Sequence, residues 1–404
     1  MARVLVVGAG AAGVLAALEA ARAGAAVLLL ERNEVVGRKL LATGNGRCNL
    51  SNEGVAAERY ACADREFLAR AFRALPPAGL RAYLRGLGIL TYATADGWYY
   101  PLSNSAATVA EAFAAALELA GVDTRLQTAA SDLQPKRGGF LVAAGGETLA
   151  VERLVLAAGG TAYPALGSRG DFLPLLERLG HTLLPPRPAL APILADARQF
   201  HKLQGVRLDV GLALYEGERL LGESAGNMMF TRTGFSGPAA MDLSHLVSAR
   251  PGADLRLKID LLPRQLGGLR ELIGAWRGQA QGSAPLRVLL GAALPPKVPL
   301  VLLGLAGLEA EARLSDTSEA ELESLLRLAT GLTARVKGTG GLDVAQLSAG
   351  GVPVTEVEPV TFESRRVAGL HLVGEVLDVV GPCGGYNLHY AFTSGVLAGR
   401  AVAG

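Results

Sequence analysis

The chain has little of what several kinds of protein are built from. Its 404 residues include three cysteines, Cys48, Cys62 and Cys383. They are too few and too far apart for a disulfide framework or a zinc site, and no CxxC supplies a redox dithiol. Such sparse cysteine fits a reducing compartment, so a cytoplasmic location is expected. Only five histidines occur, and His181, His201, His245 and His371 are scattered. No Ser-His-Asp triad and no metal cluster stands out, so no metal is expected. Aromatic residues make up 5%, and 39 basic residues oppose 37 acidic ones, leaving +2. Nucleic-acid binding calls for clustered cations and, for single strands, exposed aromatics. Here the charges are scattered, so neither nucleic acid nor an anionic membrane is an expected partner. No run of 18 uninterrupted apolar residues occurs, so no transmembrane helix is expected. The N-terminal apolar run is broken by Glu19 and Arg22 and reads as strand, turn and helix, not as a signal peptide.

What is abundant is glycine, 52 residues of it, placed at the ends of apolar runs where turns and close backbone approach need it. The length exceeds one ordinary core, so more than one domain is expected. Arg3 to Val7 reads as a strand buried on both faces. Gly8 to Gly13 reads as a turn, Ala11 to Ala23 as a helix, and Ala26 to Leu30 as a second strand. Helices are expected over Asp64–Leu75, Pro77–Leu87 and Ser105–Ala120, with a strand over Val122–Gln127. A hairpin is expected around Gly145-Gly146, and an apolar strand over Leu154–Ala158. Near Pro185 the texture changes. Val206 to Thr231 and Leu255 to Leu261 alternate like antiparallel strands, and Gln265 to Leu328 is helical in pattern. Ser318 and Glu321 form a capping box. After Gly338 strand-plus-glycine texture returns, with a short strand near His371–Val373 and a closing helix over Tyr386–Ala401. The expected architecture is α/β. A discontinuous Rossmann domain (1–188 and 340–404) encloses a β-rich insert (189–263) and a helical insert (264–339).

The chemistry is carried by three tracts. The first is GAGAAG with Glu31. Gly8 permits the tight turn, Gly10 lets a backbone approach a pyrophosphate, and Gly13 brings the helix close to the strand. Ala11 and Ala12 open the helix, whose N-terminus faces the phosphates. Glu31, followed by Arg32, ends the second strand, where it can accept from ribose hydroxyls. The second tract is GRKLLATGNGRCN, Gly37 to Asn49. Arg38 and Lys39 are suited to neutralise a diphosphate or reach the adenine side, and Thr43, Gly44, Asn45 and Gly46 to lie along a flavin. With one fingerprint and a cationic loop behind it, FAD is the expected cofactor, and NAD(P)H at most a transient electron donor. Ala158-Gly159, at the end of an apolar strand, belongs to the same expected surface. The third tract runs from Gly374 to the closing helix. Glu375 and Asp378 compete for the ribityl hydroxyls, and the helix N-terminus can face the flavin edge where charge gathers on reduction.

GAGAAG with its acid, GRKLLATGNGRCNLSN, FTRTGFSGPAA and GEVLDVVGPCGGYNLHYAFTSG together resemble one bacterial flavoprotein family. It comprises NAD(P)/FAD-dependent oxidoreductases, aminoacetone-oxidase-like proteins and bile-acid 3-dehydro-Δ4,6-reductases. The resemblance spans nearly the whole chain. It implies a glutathione-reductase-like FAD domain with an inserted β-barrel-like domain and a small helical domain. It also implies that Gly374, Glu375, Asn387 and Leu388 contact the flavin. A glutamine is common in the family where this chain has His389. Acid–base candidates are His389, Tyr386, Cys383, Cys48 and Tyr163, although for each a packing role is the simpler one. The flavin itself can take a hydride, so no protein nucleophile is required. The expected function is FAD-dependent hydride transfer, NAD(P)H-linked, to a small molecule such as a conjugated ketone. An amine-type oxidase using oxygen is the alternative within enzymes, and an FAD-dependent RNA-modifying protein the alternative from another class. Oligomeric state is not readable from the chain.

Overall fold

The computed structural model describes residues 3–404. The chain divides into two compact units, one made of Met1–Arg187 and Leu342–Gly404, the other of Pro188–Gly341.

The first unit is built on a five-stranded, wholly parallel sheet. Its order is Leu370–Leu372, Arg153–Leu156, Arg3–Val7, Ala26–Leu30, Asp123–Arg125. Parallel strands need covered faces, which explains why Val4, Leu5, Val6 and Leu29 have essentially no exposed surface. Two helices cross on that sheet, the fingerprint helix Ala11–Arg22 and the closing helix Tyr386–Val402. Their approach is close because the closing helix turns glycines toward its partner. A Cβ on Gly395 would lie 2.1 Å from the Ala12 carbonyl oxygen, and one on Gly399 would lie 2.4 Å from that of Ala16. Glu19 ties the far ends together, accepting from Arg400 at 2.7 Å and Arg22 at 3.1 Å.

Two small antiparallel sheets complete this unit. One joins Ser51–Asn52, Trp98–Pro101 and Thr91–Ala93; the other joins Ala130–Lys136, Gly139–Ala144 and Glu147–Val151. The hairpin expected at Gly145-Gly146 is present, and it gains a third strand that the sequence pattern does not announce. The helices fall where the periodicity puts them, at Arg65–Ala74, Pro77–Gly86 and Ala106–Leu119. Asp64 caps the first, accepting from Glu66 N at 2.9 Å and Phe67 N at 3.3 Å.

The second unit is a closed six-stranded barrel of Ile193–Ala195, Gly234–Ser236, Arg219–Thr231, Arg207–Glu216, Leu255–Asp260 and Leu332–Thr339. Helices Leu266–Trp276, Leu286–Gly291, Lys297–Leu305 and Glu319–Ala329 lie between its last two strands in sequence. The Ser318–Glu321 capping box is formed. The expected partition into a β-rich 189–263 and a helical 264–339 needs correction. Leu332–Thr339 is a barrel strand pairing with both Leu255–Asp260 and Ile193–Ala195. The helices share one apolar core with the barrel, through Phe200, Phe230 and Phe235 on one side and Leu289, Leu302 and Leu325 on the other.

Candidate functional site

The fingerprint glycines divide by what surrounds them. A Cβ on Gly8 would meet the Ala157 carbonyl oxygen at 2.5 Å, and one on Gly13 would meet the Gly8 carbonyl oxygen at 1.8 Å. These two glycines are required by the fold itself. A Cβ on Gly10 meets nothing within 4 Å, so the surface it opens is free for a ligand backbone. The helix that follows has no side-chain cap and no acid in its first turn, leaving its leading amides to attract an anion. Glu31 is buried at the strand end, where Oε2 accepts from Ala9 N at 2.8 Å and Oε1 from Asn33 N at 2.8 Å. These features fit a dinucleotide diphosphate and its ribose. Ala11 is half-buried, and Ala12 lies under Gly395. Arg32 turns away from the fingerprint to pair with Asp171 and donate to the Gly167 carbonyl, so it fastens the loop after Gly160. Gly159, at φ +77°, allows Ser168 Oγ to come within 2.8 Å of where its Cβ would be. Ala158 precedes it, half-buried.

The tract from Gly37 to Asn49 is a compact turn. Leu40–Gly46 forms short helical pieces, broken at Thr43 and turned left-handed through Gly44 (φ 57°) and Asn45 (φ 56°). Thr43 Oγ1 donates to the Leu40 carbonyl at 2.7 Å. Arg47 stacks 4.5 Å over the Tyr100 ring, while Arg38 is exposed. Lys39 reaches Glu375 Oε2 at 2.7 Å. Beyond Asn49 the chain enters the Ser51–Asn52 strand and meets the C-terminal run directly. Asn52 Nδ2 donates to the Gly384 carbonyl at 2.9 Å, Tyr60 OH donates to the Tyr386 carbonyl at 2.8 Å, and Ala61 and Val380 bridge. A Cβ on Gly385 (φ 95°) would lie 2.4 Å from the Ser51 carbonyl oxygen. The Gly37–Asn52 tract and the C-terminal run are thus one interlocked body.

Glu375 and Asp378 separate cleanly. Asp378 Oδ1 accepts from Gly350 N at 2.6 Å, which fixes a glycine turn. Glu375 Oε1 accepts from Ser348 N and Ser348 Oγ, both at 2.9 Å. Gly374 adopts φ +68° and donates its N–H to Ser394 Oγ at 3.0 Å. Asn387 spends its amide on the loop before it, accepting from Gly381 N and donating to the Gly381 carbonyl, each at 2.8 Å. Leu388 packs half-buried against the core.

The acid–base candidates lie mostly in packed surroundings. His389 has no exposed surface; its Nδ1 lies 2.9 Å from Ser51 Oγ, and its ring sits edge-on to Phe72. Burial, aided by the Arg81 charge, pushes its pKa down to about 3. Its ring is packed away from the surface, and its Nε2 has no hydrogen-bond partner. Cys48 is buried in a left-handed turn (φ 61°), and burial pushes its thiol up to about 12. Tyr386 is 4% exposed and packs against Tyr60. Cys383 is half-buried. Tyr163 holds φ +55° with its N–H on the Leu342 carbonyl. Ser348, Gly160 and Asn33 contact Glu375 or Glu31 and are not singled out by any motif. Ser348 lies in LSAGG, whose glycines are the only available signal. Among the described residues no group of His, Cys, Asp and Glu could hold a metal, and no helix is long and apolar enough to cross a membrane.

The HI0933-like protein Rossmann domain family matches residues 2–401. The chain is 36% identical over 408 residues to the 3-dehydro-bile acid delta(4,6)-reductase of Clostridium scindens, covering 100% of this chain and 99% of that one. It is 29% identical over 393 residues to the ribosomal RNA dihydrouridine synthase of Escherichia coli, covering 96% and 95%. Among solved structures, the open conformation of a flavocytochrome c3 fumarate reductase superposes with a TM-score of 0.50 at 17% identity, covering 100% of this chain and 78% of that one, a likeness of fold. The FAD-type Rossmann sheet, the open face at Gly10 and the full-length match agree. The chain belongs to the HI0933-like Rossmann family, and it is an FAD-dependent oxidoreductase.

Proposed function

We propose that this protein reduces a carbon–carbon double bond conjugated to a carbonyl in a small molecule, with NAD(P)H as electron donor. The full-length match to a bile-acid reductase carries this reading. The two relatives' activities also share a chemical core. A 3-dehydro Δ4,6 steroid has its double bonds conjugated to the C3 ketone, and dihydrouridine is a uridine whose ring double bond beside a carbonyl has been saturated. Bound FAD supplies hydride exchange at N5. The chain's own groups do the holding. The amides after Gly10 take the diphosphate, Glu31 takes ribose hydroxyls, and Glu375 takes the ribityl chain. His389 and Cys48 are buried, which disfavours their charged forms, and neither is assigned a step.

The test is a visible spectrum of the purified protein, followed by anaerobic NADH or NADPH and then a 3-oxo-Δ4,6 steroid. Bleaching by one nucleotide and recovery by the dienone support the proposal. Absence of flavin bands defeats it. A flavin bleached by an amine but by neither nucleotide transfers the assignment to an oxidase.

One observation favours a second reading, reduction of an RNA base. On the outer face of the barrel, Arg256 and Arg335 are direct cross-strand partners, with Lys258 and Lys337 exposed on the same two strands. Both arginines share one acid, Asp254, at 3.6 and 3.5 Å. Like charges facing each other across a sheet are destabilising, so the fold does not explain the pair, whereas phosphate binding would. Loss of a dihydrouridine from ribosomal RNA in a deletion strain would establish this reading over the first.

A further inference from the structure

We infer that Lys39 acts on Glu375 and not on the diphosphate, and that Lys39 and Ser348 are positioning residues that leave this carboxylate one acceptor site for the cofactor. The inference rests on the FAD reading above. Its basis is a junction of four segments. Lys39 Nζ lies 2.7 Å from Glu375 Oε2, a pair separated by 336 residues, with side chains 25% and 14% exposed. Glu375 Oε1 takes the backbone N–H and the hydroxyl of Ser348, both at 2.9 Å. Ser348 Oγ in turn accepts from Thr161 N at 3.0 Å. Gly160 makes room for this, since a Cβ there would lie 2.1 Å from Ser348 Oγ and 2.8 Å from Glu375 Oε1.

A carboxylate offers about four acceptor positions. Three are filled, by Ser348 N, Ser348 Oγ and Lys39 Nζ. The remaining one suits a single hydroxyl, as a ribityl chain presents. The ammonium also compensates the acid's charge at a half-buried place. Without Lys39 the carboxylate would be loosely aimed and its charge uncompensated beside a flavin that gains electrons. Arg38, the neighbouring cation, stays exposed and available to a diphosphate.

A double-mutant cycle separates the two roles of Lys39. FAD affinity would be measured by flavin fluorescence on apoprotein, and the midpoint potential on the reconstituted protein, for wild type, Lys39→Met, Glu375→Gln and the double variant. Lys39→Met is expected to weaken FAD about tenfold, a size fitting a part-buried ion pair, and to move the potential negative. In the Glu375→Gln background it is expected to leave FAD affinity unchanged. Affinity effects that add in the double variant would overturn the inference and return Lys39 to the diphosphate. A wild-type protein that takes up no FAD would instead defeat the cofactor reading.

Discussion

Gly8, Gly10 and Gly13 show how differently three identical residues can be constrained. Gly8 and Gly13 are pressed against the carbonyls of Ala157 and Gly8, whereas Gly10 faces open space. Gly13→Ala should therefore destabilise the fold by about 2–3 kcal/mol through overpacking. Gly10→Ala should leave the thermal midpoint unchanged while FAD affinity drops by at least about tenfold, because the methyl occupies the approach a pyrophosphate needs. Melting curves of the two apoproteins, with FAD titrations beside them, check this contrast. The roles of these glycines were legible in the spacing of the fingerprint, since sterics enforce that spacing. The burial of His389 was not, because it is packed by Phe72 and Ser51, supplied by distant segments. A second buried cluster carries a pH consequence. Burial raises the Glu356 pKa, but hydrogen bonds from Thr182, His181 and Arg366 outweigh it and hold it at about 2. The ordinary glutamate value is about 4.3. The folded-state value is depressed, so the stabilisation is complete above about pH 5 and is lost as pH falls toward 2, an effect of roughly 3 kcal/mol. Urea midpoints should fall more steeply in acid for the wild type than for Glu356→Gln. Equal slopes would show that these bonds do not hold the carboxylate.

Among the elements, the crossing of the fingerprint and closing helices is the contact most sensitive to substitution. Gly399→Val would drive a side chain into the Ala16 carbonyl, 2.4 Å from the first added atom, and should cost about 3 kcal/mol or more. Gly274, in Leu266–Trp276, has nothing within 4 Å of a Cβ. Gly274→Ala should raise stability by roughly 0.5–1 kcal/mol, as removing a helix-interior glycine does. Chemical denaturation of the two variants gives opposite signs if the packing is as described. Both helices were readable from the chain through their periodicity and the glycine turns before them. Closure of the barrel was not, because its last strand follows four helices in sequence. Alternation in Leu332–Thr339 marks a strand, but no local signal names its partners. The strand Ala130–Lys136 escaped for a related reason, as it contains Pro135 and only one of its side chains besides Ala130 is buried.

For the whole molecule, the charge distribution separates the two proposed substrates, a small dienone and an RNA base. A net charge of +2 says little, but period-2 spacing on two paired strands gathers Arg256, Lys258, Arg335 and Lys337 on one barrel face. If RNA docks there, Arg256→Glu with Arg335→Glu should weaken binding to a ribosomal RNA fragment about tenfold or more and flatten its salt dependence. Turnover of a small dienone should be unaffected. Unchanged RNA binding in that variant would remove the barrel-face observation that favours the RNA reading. The parallel sheet also bears on how the protein is made. Its outermost strand, Leu370–Leu372, and the helix covering the fingerprint both come late in the chain, and Lys39 waits 336 residues for Glu375. At about 5–20 residues per second, roughly 20–70 seconds of synthesis separate the two. The barrel unit ends at Gly341, before the strand Leu370–Leu372 that the nucleotide fold needs has been made. Cofactor capture is therefore among the last events in this protein's biogenesis, and nascent chains stalled before Leu370 should emerge colourless.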